Sequence, residues 1–209
     1  MNASISPAGI GSASLDEEVA RAELYGVLAR LFYAPPDPAF AAGLRAATTE
    51  APTAGAFLEG PWRGLVDAAR GADDQALRDE YETLFGGLGK PEVYLYGSHY
   101  LSGFLNEKSL VRLRDDLAAL GLARDPAMPE TEDHVAYLCE VMRYLIAGDD
   151  AAQCHLANQR QFFGTHLLPW IPAMCDALIA HPRARFYAAL AEFARAFTSV
   201  EAQGFDMLP

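Results

Sequence analysis

Residues 130–148 read Glu130-Thr131-Glu132-Asp133-His134-Val135-Ala136-Tyr137-Leu138-Cys139-Glu140-Val141-Met142-Arg143-Tyr144-Leu145-Ile146-Ala147-Gly148. Val135, Leu138, Met142 and Leu145 recur at three- and four-residue steps, which is one face of an α-helix, and Gly148 closes it. Ahead of this stripe stand three carboxylates, where the positive end of a helix dipole welcomes them and where Thr131 or Glu132 can cap. Working backwards, Leu110, Leu113, Leu117 and Leu120 form a second stripe from Asn106, closed by Gly121. Gly121, Pro126 and Pro129 then break the chain between the two helices.

The same pattern extends outward. Ser14 and Glu17 have capping-box spacing, and Val19, Leu24, Val27, Leu28 and Leu31 continue as an apolar face up to Pro35-Pro36. Asp37-Pro38 opens a short second helix, Pro61 to Arg70 a third, and Asp73 a fourth whose stripe is Leu77, Tyr81, Leu84 and Phe85, ended by Gly86-Gly87. From Ala151 the pattern is helical to about Thr165, is interrupted by Pro169 and Pro172, and resumes after Pro182 with Phe186, Leu190, Phe193 and Phe197. No stretch alternates with period two long enough to claim a strand, and alanine-rich composition favours helix. The expected fold is all-α: a single helical domain of about eight to nine helices over residues 14–203, with small tails at 1–13 and 204–209. The broken segment suggests two lobes meeting near 123–131, a hinge across which either a monomer or a domain-swapped dimer is compatible.

Length and composition bound the function. The chain has 209 residues, 51% hydrophobic and 21% charged, enough for a real core and too balanced for disorder. Its 28 acidic against 16 basic residues leave a net charge of −12, so nucleic acid and anionic lipid are repelled and a basic peptide attracted. Cys139, Cys154 and Cys175 are odd in number and far apart, which supports neither a disulfide framework nor a zinc site. Met1 to Ser14 lacks Lys, Arg and an apolar core, and no run approaches the ~18 apolar residues of a membrane span, so the expectation is a cytoplasmic protein without stable membrane insertion.

Several chemistries lack their signatures. Gly86-Gly87-Leu88-Gly89-Lys90-Pro91 carries proline where a phosphate-binding loop needs Ser or Thr. None of the five histidines follows a glutamate by three residues, so the ligand pairs of a di-iron bundle are absent. Tyr96-Gly97-Ser98-His99-Tyr100 lacks the second glycine of a nucleophile elbow. No metal, cofactor or catalytic set is expected.

Two constellations remain. Glu130 to His134 is either an ordinary acidic helix start or a site for a cationic ligand. The aromatic group Tyr94, Tyr96, Tyr100 and Phe104, following Tyr81, Leu84 and Phe85, is either core or a peptide-binding surface. His166-Leu167-Leu168-Pro169-Trp170 reads as core around a proline kink.

In this order the motifs resemble the TorD/DmsD family of redox-enzyme maturation chaperones. Tyr81-Glu82-Thr83-Leu84-Phe85-Gly86-Gly87 is similar to the family's first signature, and Tyr96-Gly97-Ser98-His99-Tyr100 to its Gly-Ser between aromatics. Glu130-Thr131-Glu132-Asp133-His134 resembles its Glu-Pro-x-Asp-His, with Thr131 where proline is usual. His166 to Trp170 and Phe186-Tyr187-Ala188-Ala189-Leu190 resemble its C-terminal pattern. The resemblance implies a non-enzyme that binds the twin-arginine signal peptide of a molybdopterin-containing oxidoreductase of the dimethyl-sulfoxide-reductase type. It would hold that precursor from export until cofactor insertion.

The expected binding residues are Tyr81, Leu84, Phe85, Tyr96, Ser98, Tyr100, Glu130, Asp133 and His134, with Tyr81, Leu84, Phe85, Tyr96 and Tyr100 lining an apolar groove. Asp133 and His134 are expected to point outward from a helix start, so that replacing them spares the fold. Two rival readings are a nucleotide-hydrolysing enzyme using Asp133 and His134, and a plain helical scaffold in which the irregular segment only packs.

Overall fold

The computed structural model describes residues 8–50, 57–86, 90–102, 107–125 and 127–207. Ten helices lie among them: α1 Ala8–Tyr33, α2 Pro38–Ala46, α3 Glu59–Arg70, α4 Asp74–Leu84, α5 Gly97–Ser102, α6 Glu107–Ala119, α7 Val135–Ala147, α8 Leu156–His166, α9 Ile171–Ile179 and α10 Phe186–Asp206. Among the described residues no strand forms, and one isolated antiparallel bridge joins Tyr96 to His134. The all-α expectation therefore holds.

Local chemistry sets most boundaries. Asp37 caps α2 by accepting the Phe40 N–H at 2.9 Å, with Pro38 at the first helical position, and Asp73 caps α4 from the Ala76 N–H at 2.8 Å. After α6 the chain turns through Gly121 at φ +72°, a left-handed conformation that glycine adopts without a Cβ clash. At α9, Pro172 falls within the first turn, where a missing N–H is harmless.

Four expectations are corrected. The helix expected to start at Ser14 starts at Ala8, because Ala8-Gly9-Ile10-Gly11-Ser12-Ala13 contains no proline to stop it, so the described part of the expected 1–13 tail, residues 8–13, is helix. At the other end α10 runs to Asp206, since Phe205 is buried 5.4 Å from the ring of Phe163. Residues 151–155 form a turn, and α8 begins only at Leu156 with His155 as its cap. The stretch 86–104, read as irregular, contains α5; Gly87, Gly103 and Phe104 lie outside the described residues.

α1 packs along α7, and α10 packs on α9, α3 and α4, so that one apolar cluster draws on the first helix and the last. Tyr25 meets Phe197 edge-on at 4.8 Å, and Trp62 meets Phe193 at 5.4 Å. A largely buried ion pair ties α1 to α10: Arg21 donates to both oxygens of Glu201 at 2.8 Å, and the Tyr25 hydroxyl adds a third bond at 3.1 Å. Arg45 donates to the Ala69 and Ala72 carbonyls while Arg70 donates to those of Arg45 and Ala47, so α2 and α3 cap each other's C-terminal ends. No single described helix is long and apolar enough to cross a membrane. The bent pair α8 and α9 meets that test by composition, and its Phe162, Phe163, Met174 and Leu178 are buried in the core.

Candidate functional site

The site is assembled where the chain before α5 meets the chain before α7. Gly97 N–H donates to the Asp133 carbonyl at 3.0 Å, and Val135 N–H to the Leu95 carbonyl at 2.8 Å, which clamps the two segments side by side. Asp133 then completes α5 from a distance: its Oδ2 accepts the Ser98 N–H at 2.8 Å, and its Oδ1 accepts the Thr131 hydroxyl at 2.6 Å. A carboxylate at the start of a helix satisfies an N–H that would otherwise be orphaned. Gly97 lets the start of α5 lie against Trp170, because a Cβ there would stand 2.9 Å from Nε1 of Trp170.

His134 is the cap of α7, not Thr131 or Glu132 as expected. Its Nδ1 accepts the Ala136 N–H at 3.2 Å, which fixes the neutral tautomer with the proton on Nε2. Burial lowers its pKa to about 4, against the pull of Glu130 and Asp133. Asp133 and His134 are each only 4% exposed, so the expectation that they point outward is corrected: both turn inward as caps. With both oxygens of Asp133 and Nδ1 of His134 so engaged, the pair is not arranged as a general base.

The carboxylates of this loop divide by role. Glu132 is held by two bonds from Arg114 at 2.9 and 3.0 Å. Glu130 is half-buried, accepts the Tyr96 hydroxyl, and among the described residues pairs with no lysine or arginine. Rings gather beside it. The His134 imidazole meets Tyr96 at 5.0 Å, Tyr137 at 5.8 Å and Tyr33 at 6.4 Å, and Tyr33 lies 5.9 Å from Tyr137. Burial first, then the charge of Glu130, raises the Tyr81 hydroxyl, whose proton goes to the Tyr33 carbonyl at 2.7 Å. Burial together with Glu130 likewise raises Tyr96. A carboxylate that pairs with no described cation and lies near tyrosine rings can receive a planar cation by hydrogen bond, with a ring close enough for cation–π contact.

The other expected residues fall elsewhere. Leu84 is fully buried at 0% exposure and belongs to the core, which corrects its place in a groove. Helical spacing gives core and groove the same stripe; Leu84 falls in the core cluster while its neighbours Tyr81 and Phe85 meet α10. Phe85 and Tyr81 set their rings edge-on to the buried Tyr187 at 5.0 and 5.7 Å. Tyr100 stacks on Trp170 at 5.8 Å and donates to the Tyr94 carbonyl at 2.9 Å, a structural role. Ser98 is buried and contributes its N–H to Asp133. Tyr33 and Tyr137 were not singled out in the sequence. Tyr33 is the last residue of α1 before Pro35-Pro36, and Tyr137 follows His134 by three on the same helical face; both positions could have flagged them.

The model of the family described as nitrate reductase delta subunit matches residues 52–176, more than half of the chain. The chaperone protein TorD of Vibrio cholerae serotype O1, in the Classical Ogawa 395 and M66-2 strains, is 29% identical over 156 residues, which is 69% of this chain and 71% of the relative. TorD of the El Tor Inaba N16961 strain is 29% identical over 139 residues, 63% of each chain. These relatives are named as chaperones and not as enzymes. With an all-helical fold and the Glu130–His134 loop in place, the chain belongs to the TorD/DmsD family of redox-enzyme maturation chaperones that the nitrate reductase delta subunit model describes.

Proposed function

We propose that this chaperone binds the twin-arginine leader of a molybdopterin-containing oxidoreductase of the dimethyl-sulfoxide-reductase type in the cytoplasm, and holds it from export until its cofactor is inserted. The observation that carries the reading is Glu130, free of any described cation and set among Tyr33, Tyr81, Tyr96 and Tyr137. A guanidinium of the leader would bond the Glu130 carboxylate and lie against a tyrosine face. The net charge of −12 speeds the approach of such a basic peptide and turns nucleic acid away. Among the expected binding residues, Glu130 and Tyr96 make contact with the ligand, while Asp133, His134 and Ser98 shape the loop. The connection through 123–131 would let the protein exist as a monomer or a swapped dimer.

Titration calorimetry with a synthetic leader tests this. Glu130→Gln keeps an acceptor for the Tyr96 hydroxyl and removes the charge. Losing a charged hydrogen bond of about 1.5–3 kcal/mol should weaken the Arg-Arg leader by about 10-fold or more, with little change in melting temperature. Equal affinity of the variant and the wild type would refute the assignment.

A further inference from the structure

An apolar cavity of about 370 Å³ opens beside the Glu130 cluster, between α6, residues 122–125 with Met128 and Glu132, and the outer face of α7. Its walls are Leu117, Leu122, Met128, Tyr137, Val141 and Tyr144. The charges at its mouth are already engaged: Glu132 with Arg114, Glu140 with Arg143 at 2.9 Å, Asp125 with the Ala127 N–H, and Arg124 with the Met128 carbonyl. The cavity therefore offers apolar surface whose rim groups are ion-paired or tied to the backbone, whereas next to it Glu130 pairs with no described cation. Tyr137 belongs to both, since it lines the cavity and also packs on the His134 ring.

We propose that this cavity is the subsite for the apolar stretch of the same leader, the residues adjoining its arginine pair. The inference rests on the leader-binding reading and adds where specificity for the apolar part resides. A ligand that is cationic at one point and apolar at the next matches the pair of sites, one charged and one neutral, on either side of a shared tyrosine. The volume lies near the lower end of the ~300–1,000 Å³ of ligand clefts, which suits one or two anchoring side chains and is too small for a whole helix. Leu117 is buried at its floor, while Leu122, Val141 and Tyr144 are half-buried and reachable. Such a cavity in a protein interior would be filled by the protein's own side chains.

The test uses the full chain and two synthetic leaders, both with an Arg-Arg pair, one with leucines in the apolar stretch and one with serines in their place. Wild type should prefer the leucine peptide by about 10- to 100-fold, the worth of burying one large apolar side chain. Val141→Trp fills the cavity from α7; it should reduce the leucine peptide to the level of the serine peptide and leave the serine peptide unchanged. If melting shows that Val141→Trp does not fold, Met128→Gln on the loop is read in the same way. Unchanged preference in the folded variant overturns the cavity assignment and leaves Glu130 and the leader reading standing. Equal weakening of both peptides also overturns it. Failure of wild type to bind either peptide removes both.

Discussion

Thr131 donates its hydroxyl to Asp133 Oδ1 at 2.6 Å, two residues along the loop whose other carboxylate oxygen starts α5. Thr131 stands where the resembling motif has proline, and here the turn is tied by a side-chain bond instead of a ring. The His134 N–H closes the same turn on the Thr131 carbonyl at 3.1 Å.

Thr131→Val keeps shape and removes the donor, leaving a buried carboxylate one bond short. The expected loss is about 1–3 kcal/mol, read by urea denaturation, with Thr131→Ser restoring most of it. A neutral valine variant would show that the turn holds without the hydroxyl.

Leu84 is fully buried, so Leu84→Ala should cost about 2–5 kcal/mol of stability from lost burial and the cavity left behind. Peptide affinity of the fraction still folded should be unchanged. A stable variant with weakened binding would return Leu84 to the binding surface.

What was legible in the sequence was local. Asp37-Pro38 and Asp73 announce their helices because cap and capped N–H lie three residues apart. α5 carries no local signal because it is six residues long and its cap, Asp133, lies 35 residues from the Ser98 N–H it accepts. The acidic loop was visible as a cluster, but its division into a structural Asp133, an Arg114-bound Glu132 and an unpaired Glu130 depends on partners from α5 and α6. Tyr33 and Tyr137 reach the site from α1 and α7, helices whose packing no periodicity specifies. For the same reason periodicity leaves the stripe of Tyr81, Leu84 and Phe85 open between core and groove, and the difference lies in the distant Tyr187 that packs on Tyr81 and Phe85.

Glu80 offers a test of how α10 is anchored. Its carboxylate accepts the N–H groups of Arg185, Phe186 and Tyr187 at 2.8, 3.2 and 2.8 Å, so a residue of α4 satisfies the first turn of the last helix. Glu80→Ala should cost about 1–2 kcal/mol, the range for losing a helix cap, and Glu80→Gln less. Amide exchange at Phe186 and Tyr187 should accelerate in step; unchanged protection there would mean that packing of Phe186 and Tyr187 alone sets the helix start.

The buried cap of α7 makes stability depend on pH in a defined window. An unfolded histidine titrates near 6.5, whereas His134 in the folded protein titrates near 4 because burial opposes its charge. Between those values the unfolded chain binds the proton and the folded one does not. Stability is therefore full above pH 6.5 and falls as the pH drops towards 4, by at most about 3 kcal/mol from this group. His134→Asn retains an acceptor for the Ala136 N–H and cannot titrate, so its stability should decline less over the same window. Burial also lowers the pKa of His166, but that contribution is common to both proteins and cancels in the difference. Denaturation at pH 7 and pH 4.5 for wild type and variant measures it: parallel losses would show that protonation of His134 is accommodated at its site, and a smaller loss in the variant identifies the neutral, buried imidazole as the acid-sensitive element of the loop.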